Sequence, residues 1–132
     1  MGAVVIDSSV VFGFLDPDDA HYRRARPTVG RLLSAGSPFI LTASVLSEVL
    51  VGELRRGRIA AEKRREQLRL LFGPTRPIDD DVAVAAAELR ARHRSLRLPD
   101  ALVIAVGMVD DASAILTADQ RWSGVDPRVE VL

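Results

Sequence analysis

The chain has 132 residues, enough for one domain with a real hydrophobic core. Apolar residues make up 48% and charged residues 27%, a balance that excludes an intrinsically disordered chain. The absence of cysteine removes disulfides, zinc–thiolate sites and cysteine nucleophiles, and 18 basic against 18 acidic side chains leave no bulk charge to announce a nucleic-acid partner.

No apolar run is long enough to span a bilayer, and the opening Met1-Gly2-Ala3-Val4 lacks the charged and long apolar regions of a signal peptide, so a cytoplasmic protein with no membrane partner is expected. Lys63 is the only lysine. Arginine dominance suits phosphate contact through the planar guanidinium fork, but a GC-rich genome gives the same bias together with the many alanines.

In chain order, Ala3-Val4-Val5-Ile6 reads as a buried strand, because a continuous apolar, β-branched run ending at polar residues is typical of parallel sheets. A helix is expected from about Asp19 to Ala35, ending before Gly36, and a second short strand over Pro38–Leu41. Thr42 then suits the N-cap of a helix through Arg56, stopped by Gly57. Ile59 to Phe72 reads as a further helix ended by Gly73-Pro74, and Arg76-Pro77-Ile78 as an edge strand. Asp79-Asp80-Asp81 opens an alanine-rich helix with acids at its positive end. Pro99-Asp100 opens a strongly apolar helix through about Val109, followed by a fourth strand over Ser113–Thr117 and a short fifth over Val129–Val131. Strands separated by helices imply one α/β domain over residues 1–132 with a mainly parallel sheet and right-handed crossovers.

Ligands of such sheets bind beyond the carboxyl ends of the strands. Asp7 directly follows the first strand, and Asp119 lies two residues after the fourth. Glu48 falls about two turns into the helix after the second strand, and Asp100 in the first turn of the apolar helix. Each has an ordinary reading alone: a strand-end turn for Asp7, a favourable first-turn acid for Asp100, a loop residue for Asp119. Glu48 stands among Val45, Leu46, Val49, Leu50 and Val51, where an acid without a partner is costly. Taken together, the four can reach one edge of the sheet. Two carboxylates about 4 Å apart repel by roughly 4 kcal/mol at an effective dielectric near 20, and no lysine stands nearby to neutralise them. Mg²⁺ or Mn²⁺ is the natural counter-charge, since hard divalent cations take oxygen ligands and stabilise charge growing on a phosphate.

These segments carry a family resemblance. Val4-Val5-Ile6-Asp7-Ser8-Ser9-Val10 resembles the opening motif of PIN domains, and Leu46-Ser47-Glu48-Val49-Leu50-Val51-Gly52 their central glutamate helix. Leu96-Arg97-Leu98-Pro99-Asp100-Ala101-Leu102-Val103-Ile104-Ala105 is similar to the third motif of VapC toxins, and Leu116-Thr117-Ala118-Asp119 to the final strand-and-acid motif. The resemblance implies a three-layer α/β/α sandwich and Mg²⁺ or Mn²⁺ held by Asp7, Glu48, Asp100 and Asp119, with Ser9 and Thr117 supporting the site. It also implies hydrolysis of RNA by a metal-activated water, homodimerisation, and a cognate VapB-like antitoxin. A stand-alone PIN nuclease in RNA processing is the alternative within the same chemistry. Many relatives carry a further aspartate where this chain has Gln120-Arg121-Trp122, which points to a one-metal resting state.

Arginines cluster at three places, mostly as solvated helix faces. Arg55, Arg56 and Arg97 flank the acidic edge and are the candidate RNA-phosphate contacts. Trp122 fits the commoner job of anchoring the last loop, or else stacks a base. Rival classes lack their own requirements. A phosphoacceptor receiver needs a lysine after a late strand, a dehalogenase-like phosphatase needs an aspartate where Ser9 stands, and a nucleotide-binding fold needs a glycine-rich first loop. A non-catalytic interaction module requires that the acids fail to bind metal.

Overall fold

The computed structural model describes residues 2–132. In chain order the elements are β1 (Val4–Ile6), α1 (Ser8–Leu15), α2 (Tyr22–Ser34), β2 (Phe39–Ile40), α3 (Ala43–Arg56), α4 (Arg58–Phe72), α5 (Asp80–Arg92), α6 (Leu98–Val109), β3 (Ala114–Thr117) and β4 (Val129–Val131). The strands form one parallel sheet in the order β2-β1-β3-β4, with Val4 opposite Phe39 and Ala114, Ile6 opposite Leu116, and Thr117 opposite Val131. Six helices flank the sheet, making the expected three-layer α/β/α sandwich.

The central strands are apolar on both faces because both are covered. Every residue of β1 and β3 is buried. Helix α6 is buried nearly all round, with Ala101 and Val103 through Gly107 inaccessible, as expected for a helix without a polar stripe. It lies close to β3 because residue 107 has no side chain: a Cβ there would meet the Ile115 side chain, with Cγ1 only 2.5 Å away. At the other end of the sheet, Phe72 at the close of α4 meets the ring of Phe39 edge-on at 5.2 Å and that of Phe14 at 6.3 Å.

Boundaries follow the capping chemistry. The Thr42 hydroxyl accepts the Val45 N–H at 3.1 Å, and Asp79 does the same for Val82 at 3.0 Å. Helices α3 and α4 end at Gly57 (φ 130°) and Gly73 (φ 84°), backbone conformations that favour glycine.

Three expectations need correction. Helix α1 was not foreseen, because Val10, Val11 and Gly13 are indifferent or poor helix formers. Packing overrides propensity here: Val10, Val11 and Phe14 are buried, and a Cβ at Gly13 would stand 2.9 Å from that of Ala25 on α2. The helix expected from Asp19 begins only at Tyr22, after turns over residues 16–21. The edge strand expected over Arg76-Pro77-Ile78 reduces to one bridge between Thr42 and Arg76. Arg76 N–H donates to Leu41 O at 2.8 Å and its carbonyl accepts the Ala43 N–H at 2.9 Å, but Ala43 already opens α3, so the ladder has no next partner. The sheet therefore has four strands rather than five.

Candidate functional site

The strand order changes direction at β1, since β2 lies on one side of it and β3 on the other. The crevice beyond such a switch point is where open α/β sheets place their sites. Asp7 leaves β1 here, 6% exposed, with its N–H donating to Leu116 O at 2.9 Å across to β3. Its carboxylate is held from two sides. Ser9, in the first turn of α1, donates to Oδ2 at 2.7 Å, and Thr117, the last residue of β3 and wholly buried, donates to the same oxygen at 2.9 Å. Both hydroxyls also accept, Ser9 from Ala118 N–H and Thr117 from Asp119 N–H, each at 3.0 Å. Two short side chains thus lock β1, α1 and the loop after β3 into one arrangement. Asp7 Oδ1 takes no hydrogen bond among the described residues.

Glu48 comes to this edge from α3, but not as its apolar neighbours imply. Val45 and Val49 turn into the core, and Glu48, one turn on from Val45, lies at the edge of that face and is exposed. The Ser8 hydroxyl donates to Oε2 over a long 3.4 Å. Partial desolvation, and then the negative charge of Asp7, raise the Glu48 pKa; Asp100 adds to this, while Ser8 and Arg97 oppose it. Asp100, in the first turn of α6, is likewise raised, by desolvation first and then by Asp7 and Asp119, against the opposing charges of Arg97 and Arg121. Glu48 and Asp100 therefore both feel the charge of Asp7, although the three reach this edge from different elements.

Asp119 is different. Arg121 grips it through Nε and Nη2 at 3.0 and 2.7 Å, and the Arg121 N–H donates to Oδ1 at 2.9 Å. These contacts hold the Asp119 carboxyl below its usual range. Arg97 Nε stands 3.6 Å from Asp100. No lysine neutralises the acids, but two arginines do so partly: Arg97, expected at this edge, and Arg121, which the sequence reading missed. Its signal was the spacing, since an arginine two residues after a loop aspartate can fold back on it. Arg55 and Arg56 lie in the last turn of α3. Arg56 pairs with Glu53 at 3.8 Å, and no ion pair or hydrogen bond links either to the four acids among the described residues.

The donor set is of hard oxygens, and Glu48 and Asp100 are raised first by burial and then by like charges, both of which a cation relieves, so the residues fit a Mg²⁺ or Mn²⁺ ion in kind and in charge. In the arrangement described, no three Asp, Glu or His side chains close into a ligand cage among the described residues, and Asp119 spends both oxygens on Arg121.

A parallel three-layer sheet with coupled carboxylates at its switch point defines a class of acid-edged α/β folds. Within that class, the PIN domain family profile matches residues 4–126, and the chain belongs to the PIN domain family. Solved structures share its fold. A toxin–antitoxin complex from Klebsiella pneumoniae is similar at a TM-score of 0.76 and 21% identity, covering 98% of this chain and 97% of that one. FitAcB from Neisseria gonorrhoeae is similar at 0.75 and 20% identity, covering 96% and 95%. A VapC toxin of Mycobacterium tuberculosis, described as cleaving the sarcin–ricin loop, is similar at 0.70 and 23% identity, covering 92% and 93%. At these identities the likeness is one of fold. No curated protein matches the chain in sequence.

Proposed function

We propose that residues 1–132 act as one nuclease domain, a Mg²⁺- or Mn²⁺-dependent endoribonuclease that serves as the toxin of a toxin–antitoxin pair. The observation that carries this reading is the convergence of Asp7 from the end of β1, Glu48 from α3 and Asp100 from the first turn of α6 on the switch-point edge of a PIN fold, with Ser8 beside Asp7 bonded to Glu48. Asp7, Glu48 and Asp100 would hold the ion, and Asp119 would join them on release from Arg121. When bound, such an ion lowers the pKa of a coordinated water and stabilises charge on a phosphate undergoing in-line displacement. The chain's own residues do the rest. Ser9 and Thr117 fix Asp7 through Oδ2, leaving Oδ1 to face the site. Arg97 and Arg121, both on the rim, exchange their carboxylate partners for RNA phosphates as substrate enters.

The toxin role is supported by fold neighbours that are toxin–antitoxin complexes, among them VapBC from Rickettsia felis bound to promoter DNA. The partner proposed is a VapB-like antitoxin covering the acidic edge, and the protein itself is proposed to be a homodimer in the cytoplasm. No helix among the described residues is long and apolar enough to cross a membrane.

The test is cleavage of a pool of single-stranded and structured RNAs with Mg²⁺ or Mn²⁺ and with chelator, by the wild type and by Asp100→Asn. Metal-dependent cleavage lost in the variant is expected. No cleavage by folded, metal-loaded wild type across varied RNAs would sink the nuclease reading. Co-expression with the small neighbouring gene product, followed by co-purification and recovery of growth, tests the toxin role.

A further inference from the structure

Two large apolar side chains one turn apart on α3 face solvent: Val51 is 46% exposed and Leu54 57%. They share the outward side of the helix with Ser47, Glu48 and Arg55, all exposed, while Val45 and Val49 face the core. Gly52 is exposed beside them in the helix interior, where glycine is less favourable than alanine, and a Cβ there would meet nothing within 4 Å. Nothing within the chain calls for that glycine, whereas a helix packing from outside comes closer over it. Arg55 makes no ion pair or hydrogen bond among the described residues, and Glu48 receives only the long bond from Ser8. The two lie two turns apart on one face, about 10 Å along the axis, beyond the one-turn spacing at which helical side chains pair.

We propose that this face of α3 is the interface with a second copy of this chain, the two helices packing antiparallel about a two-fold axis level with Val51 and Gly52. A two-fold sets position i against position j and j against i. Placed there, it brings Glu48 opposite Arg55 of the partner subunit, and does so twice, with Val51 and Leu54 covered between the two pairs. A parallel two-fold would set Glu48 against Glu48 and Arg55 against Arg55, so charge complementarity selects the antiparallel arrangement. Glu48 belongs to the acidic edge. Arg55 of the partner subunit therefore completes that edge, holding the Glu48 carboxylate and offering a guanidinium to a phosphate that arrives there. The surface is that of the homodimer proposed above, and only its phosphate contact rests on the ribonuclease reading. With 14 residues in α3, the face is about 21 Å long, at the small end for protein interfaces, so the dimer is expected to dissociate on dilution.

The test is sedimentation velocity on the whole chain from about 5 to about 500 µM, in chelator and without RNA. Wild type is expected to sediment as a dimer at the upper end. Arg55→Glu turns two attractive pairs into two repulsive ones and should weaken the dimer at least about tenfold, and Val51→Asp should do the same. The double variant Glu48→Arg/Arg55→Glu restores opposite charges and should return dimerisation to within about threefold of wild type. Because the two side chains do not pair within one chain, that rescue reports a contact between chains. All the substituted positions are exposed, and circular dichroism with thermal melts verifies the fold of each variant. A wild type monomeric throughout, a dimer indifferent to Arg55→Glu and Val51→Asp, or a double variant no tighter than Arg55→Glu alone overturns the proposal. RNA cleavage by a protein that stays monomeric refutes the interface alone, and a charge-dependent dimer that cuts no RNA refutes the nuclease alone.

Discussion

Thr117→Val tests whether the hydroxyl network around Asp7 is what holds the site. The substitution preserves shape and suits a β-strand, but removes a buried hydroxyl that donates to Asp7 Oδ2 at 2.9 Å and accepts the Asp119 N–H at 3.0 Å. A hydrogen bond to a charged group contributes about 1.5–3 kcal/mol. The added apolar methyl returns a few tenths, leaving a net loss of about 2 kcal/mol. For a domain of this size each kcal/mol lowers Tm by about 4 °C, so a fall of about 8 °C is expected by calorimetry, with an unchanged urea m-value. Misplacing Asp7 should also cost about 10–100-fold in metal affinity or cleavage, as loss of a ligand's supporting partner does. Thr117→Ser should recover most of both. Ser9→Ala acts on the same oxygen, so the double variant should be non-additive by more than about 0.5 kcal/mol. A Thr117→Val protein as stable as wild type, or one additive with Ser9→Ala, refutes the idea that the two hydroxyls share the work of fixing Asp7.

Asp100→Asn should abolish cleavage yet raise Tm in chelator at neutral pH, because it removes a carboxylate that burial, and then the charges of Asp7 and Asp119, disfavour. The sign follows from the raised pKa: the folded chain binds this proton more tightly than the unfolded one, so the electrostatic cost is in force above the folded pKa and is relieved as pH falls toward the ordinary 3.8. The variant's advantage should therefore vanish in thermal melts at about that pH, and Mg²⁺ should stabilise wild type much more than the variant. Arg121→Gln frees Asp119 and is expected to tighten Mn²⁺ binding several-fold in calorimetric titrations; weaker binding would assign Arg121 a role in building the site rather than in holding one acid. Gly107→Ala forces a methyl into the Ile115 side chain and should cost about 1–3 kcal/mol in urea unfolding with no effect on metal affinity beyond that of stability.

The sequence by itself determined the α/β class, the parallel sheet and most helix ends, and it supplied four acids as candidates for one edge. Those features are local or periodic. Thr42, Gly57 and Gly73 carry their capping chemistry wherever the chain goes, and the apolar runs at Val4–Ile6 and Ala114–Thr117 announce strands covered on both faces. Only the tertiary structure decided what each acid meets. Helix α1 exists because Gly13 lets it lie against α2, a fact about residue 25 that no window around residue 13 contains. Arg76 fails to lead a strand because the segment it pairs with turns into α3 at Ala43. Glu48 turns outward although its neighbours are apolar, since the helix phase assigns Val45 and Val49 to the core. The partnering of Asp7 with Ser9 and Thr117 joins positions 110 residues apart, and the grip of Arg121 on Asp119 depends on the shape of one loop. Charge interacts with whatever the fold brings near, over distances that sequence spacing does not encode, so the acids were legible as a set while their pairing with arginines was not.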